Sequence, residues 1–254
     1  MSEVRIVKQV TFNFKGCRFV VTGATSGMGR TVAIELASAG ALVLAIGRNE
    51  ERLHSIRSQF PDNIFTEQLD VCDDSALESA IRDFVAEHGK FNGGVHAAGI
   101  SEITPLKNYD EQVARQIMDV SFWAGMKLLS LITKAKYGET GSSIVLFSSV
   151  CAYSHEKGMF AYAAAKAAID NGIRSAAKEI ANKKHRVNSI VPGWVKTPMV
   201  QQAGELANAE AFFEKHLLGA GVAEDVCGMI LFLLSDRASW ITGSNIVVDG
   251  GYLA

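Results

Sequence analysis

The chain has 254 residues, of which 48% are hydrophobic and 20% charged, and a formal net charge of −2 at pH 7. Basic residues cluster only in the short stretch NKKHR at 182–186, which gives no reason to expect nucleic acid or an anionic membrane as a partner. A chain of this length buries enough surface to fold without a disulfide or a structural metal.

The cysteine pattern and the N-terminal segment bear on the cellular location of the protein. Cys17, Cys72, Cys151 and Cys227 are far apart and form no C-x-x-C pair, so we predict neither a disulfide framework nor a zinc or other metal site. Reduced thiols are the expected state. The N-terminal extension, 1–14, lacks the apolar core of a signal peptide, and no apolar run is long enough for a membrane span. We expect a cytoplasmic protein with no membrane partner.

Short apolar runs alternate with helical patterns through the first ninety residues. Each run is rich in Val, Ile, Leu or Phe, which predicts a strand, and each is followed by a stretch with mixed apolar and polar positions, which predicts a helix. Asp73 or Asp74 is placed to cap the third helix. The predicted strands are CRFVVTG (17–23), ALVLAIG (41–47) and NIFTEQLDV (63–71), and the predicted helices are 29–40, 50–60 and 73–89.

The same alternation continues to the C-terminus. Further strands are predicted at GGVHAAG (93–99), SSIVLFSS (142–149), HRVNSIVPG (185–193) and SNIVVDGG (244–251), and further helices at 110–136, 160–182 and 223–235. Strands that are apolar throughout and joined by crossover helices predict a parallel sheet covered on both faces. We therefore predict an α/β protein with a doubly wound Rossmann fold, a single domain over 1–254 with one mostly parallel seven-stranded sheet flanked by helices.

A glycine-rich turn, TGATSGMG at 22–29, lies between the first predicted strand and the first helix. Gly23 permits a tight turn, and Gly27 and Gly29 let the backbone come close to a ligand and to the sheet. The N-terminus of the helix presents free N–H groups and the positive end of its dipole to the turn. A pyrophosphate is the expected ligand, and a purely structural turn is the alternative.

The spacing T-G-x-x-x-G-x-G resembles the loop of the short-chain dehydrogenase/reductase family, and the later motifs of that family follow in order. The resemblance extends from about Lys15 to VDGG at 248–251. The C-terminal SDRASWITGSNIVVDGGYLA is similar to the end of 3-oxoacyl-acyl-carrier-protein reductases. The later motifs are LDV at 69–71, AAG at 97–99, Ser149, Tyr162-x-x-x-Lys166 and PGWVKT at 192–197.

The end of the second strand indicates which nicotinamide cofactor is bound. Gly47 stands where relatives that prefer NAD carry an acidic residue, and Arg48 follows it. A guanidinium there can pair with a 2′-phosphate, so we predict NADP(H); a solvated surface arginine is the alternative. Asp70 and Val71 resemble the family pair beside the adenine, although Asp70 could simply end a strand.

By this resemblance, nineteen residues are expected to contact the cofactor. Lys166 is expected to hold the nicotinamide ribose, and Val195 and Thr197 match positions that bind the carboxamide. The full set is Gly23, Thr25, Ser26, Gly27, Met28, Gly29, Arg48, Asn49, Asp70, Val71, Ala97, Ala98, Gly99, Tyr162, Lys166, Pro192, Gly193, Val195 and Thr197.

The spacing of Tyr162 and Lys166 suggests an acid–base pair. Residues four apart share one face of a helix. An ammonium ~4 Å from a phenol at an effective dielectric of ~20 contributes ~4 kcal/mol, which lowers the phenol pKa by about three. By resemblance, Tyr162 protonates the carbonyl oxygen during reduction and Ser149, thirteen residues earlier, binds the same oxygen. Ser148 is expected to point to the opposite face.

Two positions depart from the family pattern. His96 and Ala97 replace the asparagines of N-N-A-G, and His96 is expected to bond backbone where an asparagine would. Ser121, in DVSFWAG, stands where the family often has an asparagine whose carbonyl holds a water that relays protons to the lysine. Ser121 keeps a backbone carbonyl, but the helix distortion that frees this carbonyl is in doubt. We expect an altered relay, with Ser121 among the catalytic residues.

Several residues have an equally good explanation in packing as in substrate binding. They are Tyr153, His155, Met159, Phe160, Trp194 and the apolar residues of a predicted mobile lid at 198–219. The main prediction is an NADP(H)-dependent reductase of a small-molecule ketone, with a 3-oxoacyl compound as one candidate. The alternatives are oxidation of a sugar or secondary alcohol, and a nucleotide-binding scaffold that has lost turnover. The resemblance also implies a homotetramer or homodimer.

Overall fold

The computed structural model describes residues 10–198 and 209–254, so most of the predicted N-terminal extension and residues 199–208 of the predicted lid lie outside the described residues. Seven strands are present, at the positions that the apolar runs predict. They are β1 (Arg18–Thr22), β2 (Leu42–Gly47), β3 (Ile64–Gln68), β4 (Phe91–His96), β5 (Gly138–Phe147), β6 (Arg186–Pro192) and β7 (Asn245–Val248).

The helices follow the strands in the predicted alternation. None of the helices in the described parts of the chain combines the length and hydrophobicity that crossing a bilayer requires. The helices of the described residues are α1 (Gly27–Ser38), α2 (Glu50–Arg57), α3 (Asp74–His88), α4 (Glu111–Met118), α5 (Ala124–Ile132), α6 (Cys151–Ser154), α7 (Phe160–Ile180), α8 (Ala209–Phe213) and α9 (Ala223–Leu234).

The sheet has the order β3-β2-β1-β4-β5-β6-β7, and all of these strands are parallel. The doubly wound Rossmann fold is therefore confirmed, with a fully parallel sheet where a mostly parallel one was predicted. Val20 of β1 lies between Leu44 of β2 and Gly94 of β4. Chain order reverses between β1 and β4, and ligands of open parallel sheets bind beyond the strand ends at such a switch point.

Apolar side chains fill both faces of the sheet, as buried strands require. One face packs against α1 and α9, with Val32, Leu36 and Ile230 fully buried. The other packs against α3, α5 and α7, with Leu77, Leu128 and Ile169 fully buried. These two layers hold the sheet rigidly, so the loops at its carboxyl edge start from fixed positions.

Two local features of the helices matter for the site. The Asp73 carboxylate accepts hydrogen bonds from the backbone N–H groups of Ser75 and Ala76, which confirms a predicted cap of α3. The long helical stretch predicted at 110–136 is interrupted, because Asp119–Trp123 forms a π-helical turn between α4 and α5. Such single turns are rare and often occur at functional sites.

Candidate active site

The predicted site residues lie at the carboxyl ends of consecutive strands. The glycine-rich turn follows Thr22 of β1, Asp70 follows β3 and Ala97 follows His96 of β4. Ser149 follows β5 by two residues, and Pro192 ends β6. Because parallel strands end at one edge of the sheet, residues far apart in sequence meet in one region.

The turn after β1 has no room for side chains at two glycines. A Cβ on Gly23, which has φ of +70°, would lie 2.6 Å from the backbone nitrogen of Ala98. A Cβ on Gly29 would lie 2.4 Å from the Gly23 carbonyl oxygen. The two glycines thus let the turn close on β4 and let α1 begin directly beneath it. This is the geometry that brings N–H groups to a pyrophosphate.

A cleft of about 300 Å³ extends along this edge, from α2 to the end of β5. Its lining includes fourteen of the nineteen residues expected at the cofactor: Gly23, Thr25, Ser26, Gly27, Met28, Gly29, Arg48, Asn49, Asp70, Val71, Ala97, Ala98, Gly99 and Thr197. The lining also includes Gly47 and Leu69, which the motifs contain but which were outside the expected set. Sequence reasoning missed the others, which are Arg52, Ile100, Val120, Phe147 and Pro198.

One end of the cleft carries two exposed arginines, Arg48 and Arg52. Asn49 caps α2 by accepting a hydrogen bond from the Arg52 backbone N–H at 2.9 Å, which fixes the start of the helix between the two guanidinium groups. A Cβ on Gly47 would lie 2.4 Å from Cγ2 of Thr25, so an acidic side chain at this position would collide with the glycine-rich turn. This end of the cleft therefore carries two cationic side chains and has no acidic side chain at position 47.

Asp70 closes the turn after β3 and also lines the cleft, while its predicted place beside the adenine stays a prediction. Its carboxylate accepts a hydrogen bond from the Cys72 backbone N–H at 2.9 Å, which closes the turn after β3. The residue also lines the cleft beside Val71, which is 6% exposed. The strand-ending role and a place beside the ligand are thus compatible.

A second, smaller cavity of about 70 Å³ lies next to the cleft. Met28 and Thr197 line both spaces, so the cavity and the cleft share a wall. Of the predicted site residues, the cavity brings together Ser149, Tyr162, Pro192, Gly193 and Val195, and its remaining lining is Ser101, Ser148, Val150, Cys151, Met159 and Trp194. Sequence reasoning had given no site role to Ser101, Val150 or Cys151.

Burial has the largest effect on the pKa of the Tyr162 phenol. Loss of solvent raises its pKa, the neighbouring Cys151 adds to that rise, and the Ser149 hydroxyl acts in the opposite direction. The helical spacing predicted a pKa lowered by Lys166, and this prediction is wrong for the structure. Lys166 Nζ lies 5.4 Å from the centroid of the phenol ring, and its hydrogen bond is made elsewhere.

The ammonium of Lys166 donates to the Phe147 carbonyl oxygen at 2.7 Å. Its side chain is buried, and burial lowers its pKa to about 8, while the carboxylate of Asp170 opposes that change. A Cβ on Gly99, a residue of the cleft lining, would lie 3.6 Å from Nζ. The ammonium therefore lies close behind the part of the cleft wall that Gly99 forms.

His96 joins three elements below the site. Its Nε2 lies 2.9 Å from the Val120 carbonyl oxygen, and its Nδ1 lies 2.9 Å from Oγ1 of Thr22. Because a carbonyl only accepts, Nε2 carries the proton and the threonine hydroxyl donates to Nδ1. Burial lowers the pKa of His96 to about 4, which keeps the ring neutral. The expectation that His96 bonds backbone is confirmed.

The π-helical turn shows that the helix distortion near Ser121 is present despite the substitution. His96 holds the Val120 carbonyl within this turn. The Ser121 side chain is fully buried, and its hydroxyl has no hydrogen-bond partner in the described parts of the chain. A Cβ on Gly99 would lie 3.7 Å from this hydroxyl and 3.6 Å from Lys166 Nζ, so the two groups approach the same glycine.

Comparisons with known proteins identify the family of this chain. A family model described as enoyl-(acyl carrier protein) reductase matches residues 23–253, which include the whole cleft and the cavity. The 3-oxoacyl-[acyl-carrier-protein] reductase of Thermotoga maritima is 30% identical over 235 residues, 91% of this chain and 96% of the relative. The chain belongs to the short-chain dehydrogenase/reductase family. It is thus a member of a family of oxidoreductases.

Solved structures of the family share the fold over nearly the whole chain. A short-chain dehydrogenase/reductase of Brucella melitensis, described as SDR:Glucose/ribitol dehydrogenase, has a TM-score of 0.89 and 26% identity and covers 96% of this chain and 99% of that chain. A short-chain type dehydrogenase/reductase of Mycobacterium ulcerans has a TM-score of 0.87 and 33% identity, and covers 96% and 91%.

Two other polar residues near the family motif have structural partners. The Tyr153 hydroxyl donates to the Asp170 carboxylate at 2.8 Å, and Tyr153 does not belong to the lining of the cavity. The Ser148 hydroxyl donates to the Lys166 carbonyl oxygen at 3.3 Å, although Ser148 also contributes to the cavity lining beside Ser149. Of the loop residues whose role was open, Met159 lines the cavity, while Phe160 packs against Tyr109 with ring centroids 5.7 Å apart.

The described end of the predicted lid packs on Trp194. The indole stacks on Phe212 of α8, with centroids 4.2 Å apart and planes within 14°. The Trp194 backbone N–H donates to Nε2 of His216 at 3.0 Å, and the other ring nitrogen of His216 bonds to the Phe212 carbonyl at 3.0 Å. Segment 209–219 therefore packs against the turn after β6, and a mobile lid over 198–219 stays a prediction.

Proposed function

We propose that this protein is an NADP(H)-dependent oxidoreductase that reduces a ketone to a secondary alcohol, with Ser149, Tyr162 and Lys166 as its catalytic residues. The observation that carries the proposal is the shared wall of the two spaces. Ser149 and Tyr162 line one cavity, which adjoins the cleft through Met28 and Thr197. A carbonyl between these hydroxyls would face a ligand in the cleft.

The cleft fits a dinucleotide phosphate in three ways. Gly23 and Gly29 let backbone approach a pyrophosphate, and the start of α1 supplies N–H groups. Arg48 and Arg52 have no carboxylate partner among the described residues, so both are free to bind a 2′-phosphate. When bound, NADPH supplies the hydride that adds to the carbonyl carbon.

Tyr162 is suited to supply the proton. Because burial raises its pKa, the phenol is protonated at neutral pH and can donate to the carbonyl oxygen as the alcohol forms. The Ser149 hydroxyl favours the phenolate that remains, and it can bind the same substrate oxygen. The same residues acting in reverse would oxidise a sugar or secondary alcohol, with the phenol starting deprotonated.

We further propose that Lys166 and Ser121 return a proton to Tyr162. The ammonium and the Ser121 hydroxyl approach Gly99 from within the protein, since a Cβ on this glycine would lie 3.6 Å from the first and 3.7 Å from the second. The hydroxyl can both donate and accept a hydrogen bond and has no partner in the described residues. It is thus available for the relay that a family asparagine carries, which favours an active enzyme over a nucleotide-binding scaffold.

The substrate class and the assembly are proposed from the relatives and from one edge strand. The relatives named 3-oxoacyl-[acyl-carrier-protein] reductases favour a 3-oxoacyl compound, and the Brucella melitensis structure favours testing sugars as well.

We propose one Rossmann domain in the cytoplasm that acts on a small molecule. We also propose a homotetramer or homodimer, since β7 is an edge strand on which Val247 is 48% exposed.

Consumption of NADPH against a panel of 3-oxoacyl thioesters, simple ketones and oxidised sugars tests this function. The expected result is turnover of at least one ketone, with NADPH used faster than NADH. Tight NADPH binding without turnover of any member would contradict the enzymatic proposal and support the scaffold. Turnover only of alcohols with NADP⁺ would support the dehydrogenase.

A further inference from the structure

Asp170 is a buried carboxylate on α7, one helical turn after Lys166. The two residues are only 4% and 3% exposed. Residues four apart share one face of a helix, with Cβ atoms ~6 Å apart. Arg174, one turn further on, is exposed and forms no ion pair with Asp170 in the described parts of the chain. Because a buried charge is costly unless other groups stabilise it, the place of Asp170 needs a physical reason.

Two hydroxyl groups hold the Asp170 carboxylate in place. Ser189 of β6 donates to Oδ1 at 2.7 Å, and Tyr153 of α6 donates to Oδ2 at 2.8 Å. The Asn245 amide donates to the Tyr153 hydroxyl at 3.3 Å, which leaves the phenol proton for the carboxylate. The Ser189 hydroxyl also lies 3.0 Å from Asn245 Oδ1, but the carboxylate is the nearer acceptor. Donors of this kind stabilise a negative charge and fix its position.

The sheet places this carboxylate near the Lys166 ammonium. The ammonium bonds to the Phe147 carbonyl oxygen on β5, and the carboxylate bonds to Ser189 on β6. These strands are neighbours, and Phe147 pairs with Ile190, the residue after Ser189. Since adjacent strands are ~4.8 Å apart and successive residues ~3.3 Å apart, the two charges lie within ~10 Å of each other in the interior.

Three other titratable groups approach Lys166 in the described part of the chain, and all three are neutral at pH 7. Burial raises the pKa values of Tyr162 and Cys151, and it lowers the pKa of His96 to about 4. Among these neighbours, Asp170 is the one that brings a negative charge. Its carboxylate raises the pKa of Lys166, against the effect of burial.

We propose that Asp170 is a positioning residue for the reaction, whose buried negative charge keeps the Lys166 ammonium protonated at the pH at which the enzyme works. This inference rests on the proposed ketone reduction, in which the charge of Lys166 is needed. Without Asp170, burial leaves Lys166 neutral over part of the neutral range, and turnover falls there. Asp170 therefore extends the active pH range of the enzyme upwards.

Asp170→Asn removes this charge and keeps the shape of the side chain. The alkaline limb of kcat/KM for ketone reduction is expected to move from about 8 to about 7, because a unit charge ~10 Å away at an effective dielectric of ~20 changes a pKa by about one. Asp170→Glu keeps the charge and should leave the limb near its wild-type position. Glu179→Gln, which removes an exposed carboxylate from the same helix, is the matched control. A limb in Asp170→Asn within about 0.3 pH units of wild type would overturn the proposal.

Lys166→Arg distinguishes an effect on this ammonium from a general effect on the structure. Because arginine does not titrate in this range, adding Asp170→Asn to Lys166→Arg should create no alkaline limb. A limb that appears in the double variant would assign the pH dependence to another group and would contradict the inference. Thermal midpoints establish that each variant is folded, and Asp170→Ser is a second neutral variant if Asp170→Asn does not fold.

A second measurement needs no turnover. In protein labelled with ¹³C at lysine Cε, the Lys166 resonance is the one that Lys166→Arg removes, and its chemical shift against pH gives the pKa of the ammonium. The midpoint is expected near 8 in the wild type and about one pH unit lower in Asp170→Asn. Equal midpoints would rule out the charge coupling. If the wild-type protein reduces no ketone, the proposed reduction fails, and this titration still decides the role of Asp170.

Discussion

The ammonium of Lys166 donates a hydrogen bond to the Phe147 carbonyl oxygen at 2.7 Å, which joins α7 to the end of β5 two residues before Ser149. Helix and strand are thus tied at the point where the serine and Tyr162 must meet. The contact also keeps a cation buried behind the cleft wall, and burial lowers the pKa of this lysine to about 8 from an ordinary value of 10.5.

Turnover is expected to depend on the charge of Lys166. Reduction should be fastest below pH 8 and should fall as pH rises through about 8, because the lysine loses its proton there. The measurement is kcat/KM for NADPH-dependent reduction against pH. In Lys166→Arg, whose guanidinium does not titrate in this range, this limb should disappear even if the rate is lower. A limb that is unchanged in this variant would contradict the assignment.

Titration of Lys166 does not itself destabilise the fold across this limb. Between pH 8 and 10.5 the unfolded chain binds more protons at this lysine than the folded chain does, since the folded pKa is the lower one. Stability from this group therefore rises with pH over that window. A thermal midpoint that does not fall between pH 8 and 9 serves as the control.

Arg48 is expected to determine the preference for NADPH. In Arg48→Ala, KM for NADPH should rise about 10- to 100-fold, because a charge-assisted hydrogen bond to a phosphate contributes about 1.5–3 kcal/mol. KM for NADH should change little. Steady-state kinetics with both cofactors measure this preference, and Arg57→Ala is the matched control, since Arg57 ends α2 and does not line the cleft. Equal losses for NADPH and NADH would contradict the 2′-phosphate contact.

Ser121→Ala separates the hydroxyl from the backbone carbonyl, which the variant keeps. We expect kcat to fall about tenfold if the hydroxyl serves the relay, at the low end of the range for proton-transfer groups. The free energy of unfolding should stay unchanged or rise by about 1 kcal/mol, because a buried hydroxyl without a described partner is removed. Stopped-flow turnover and urea unfolding give the two values. Wild-type kcat in this variant would assign the relay to the carbonyl alone.

Strand positions and the strand-end location of the site were predictable because both rest on local patterns. Apolar runs between helical patterns imply parallel strands, and parallel strands end at one edge. Gly23, Ser149 and Tyr162 therefore lie where their motifs indicated. Arg52 was missed, although it lies only four residues after Arg48, in the first turn of the helix that begins at Glu50 beside the cleft.

What the sequence could not predict depends on tertiary contacts. The Lys166 side chain could have approached the phenol, but in the fold it reaches the Phe147 carbonyl, and burial then dominates the pKa of Tyr162. The π-helical turn that contains Ser121 also has a tertiary contact, since His96, twenty-four residues away, donates a hydrogen bond to the Val120 carbonyl oxygen in this turn. Likewise, the stack of Trp194 on Phe212 joins segments with no shared pattern.

The most direct test of the central claim compares two tyrosine variants. Tyr162→Phe is expected to lower kcat for ketone reduction about 100- to 10,000-fold, the usual contribution of a positioned acid, with little change in Kd for NADPH. Tyr153→Phe, which removes a hydroxyl bonded to Asp170 outside the cavity, should keep turnover within about twofold of wild type. A Tyr162→Phe protein that binds NADPH and retains more than about a tenth of the wild-type kcat would contradict the assignment of Tyr162 as the proton donor.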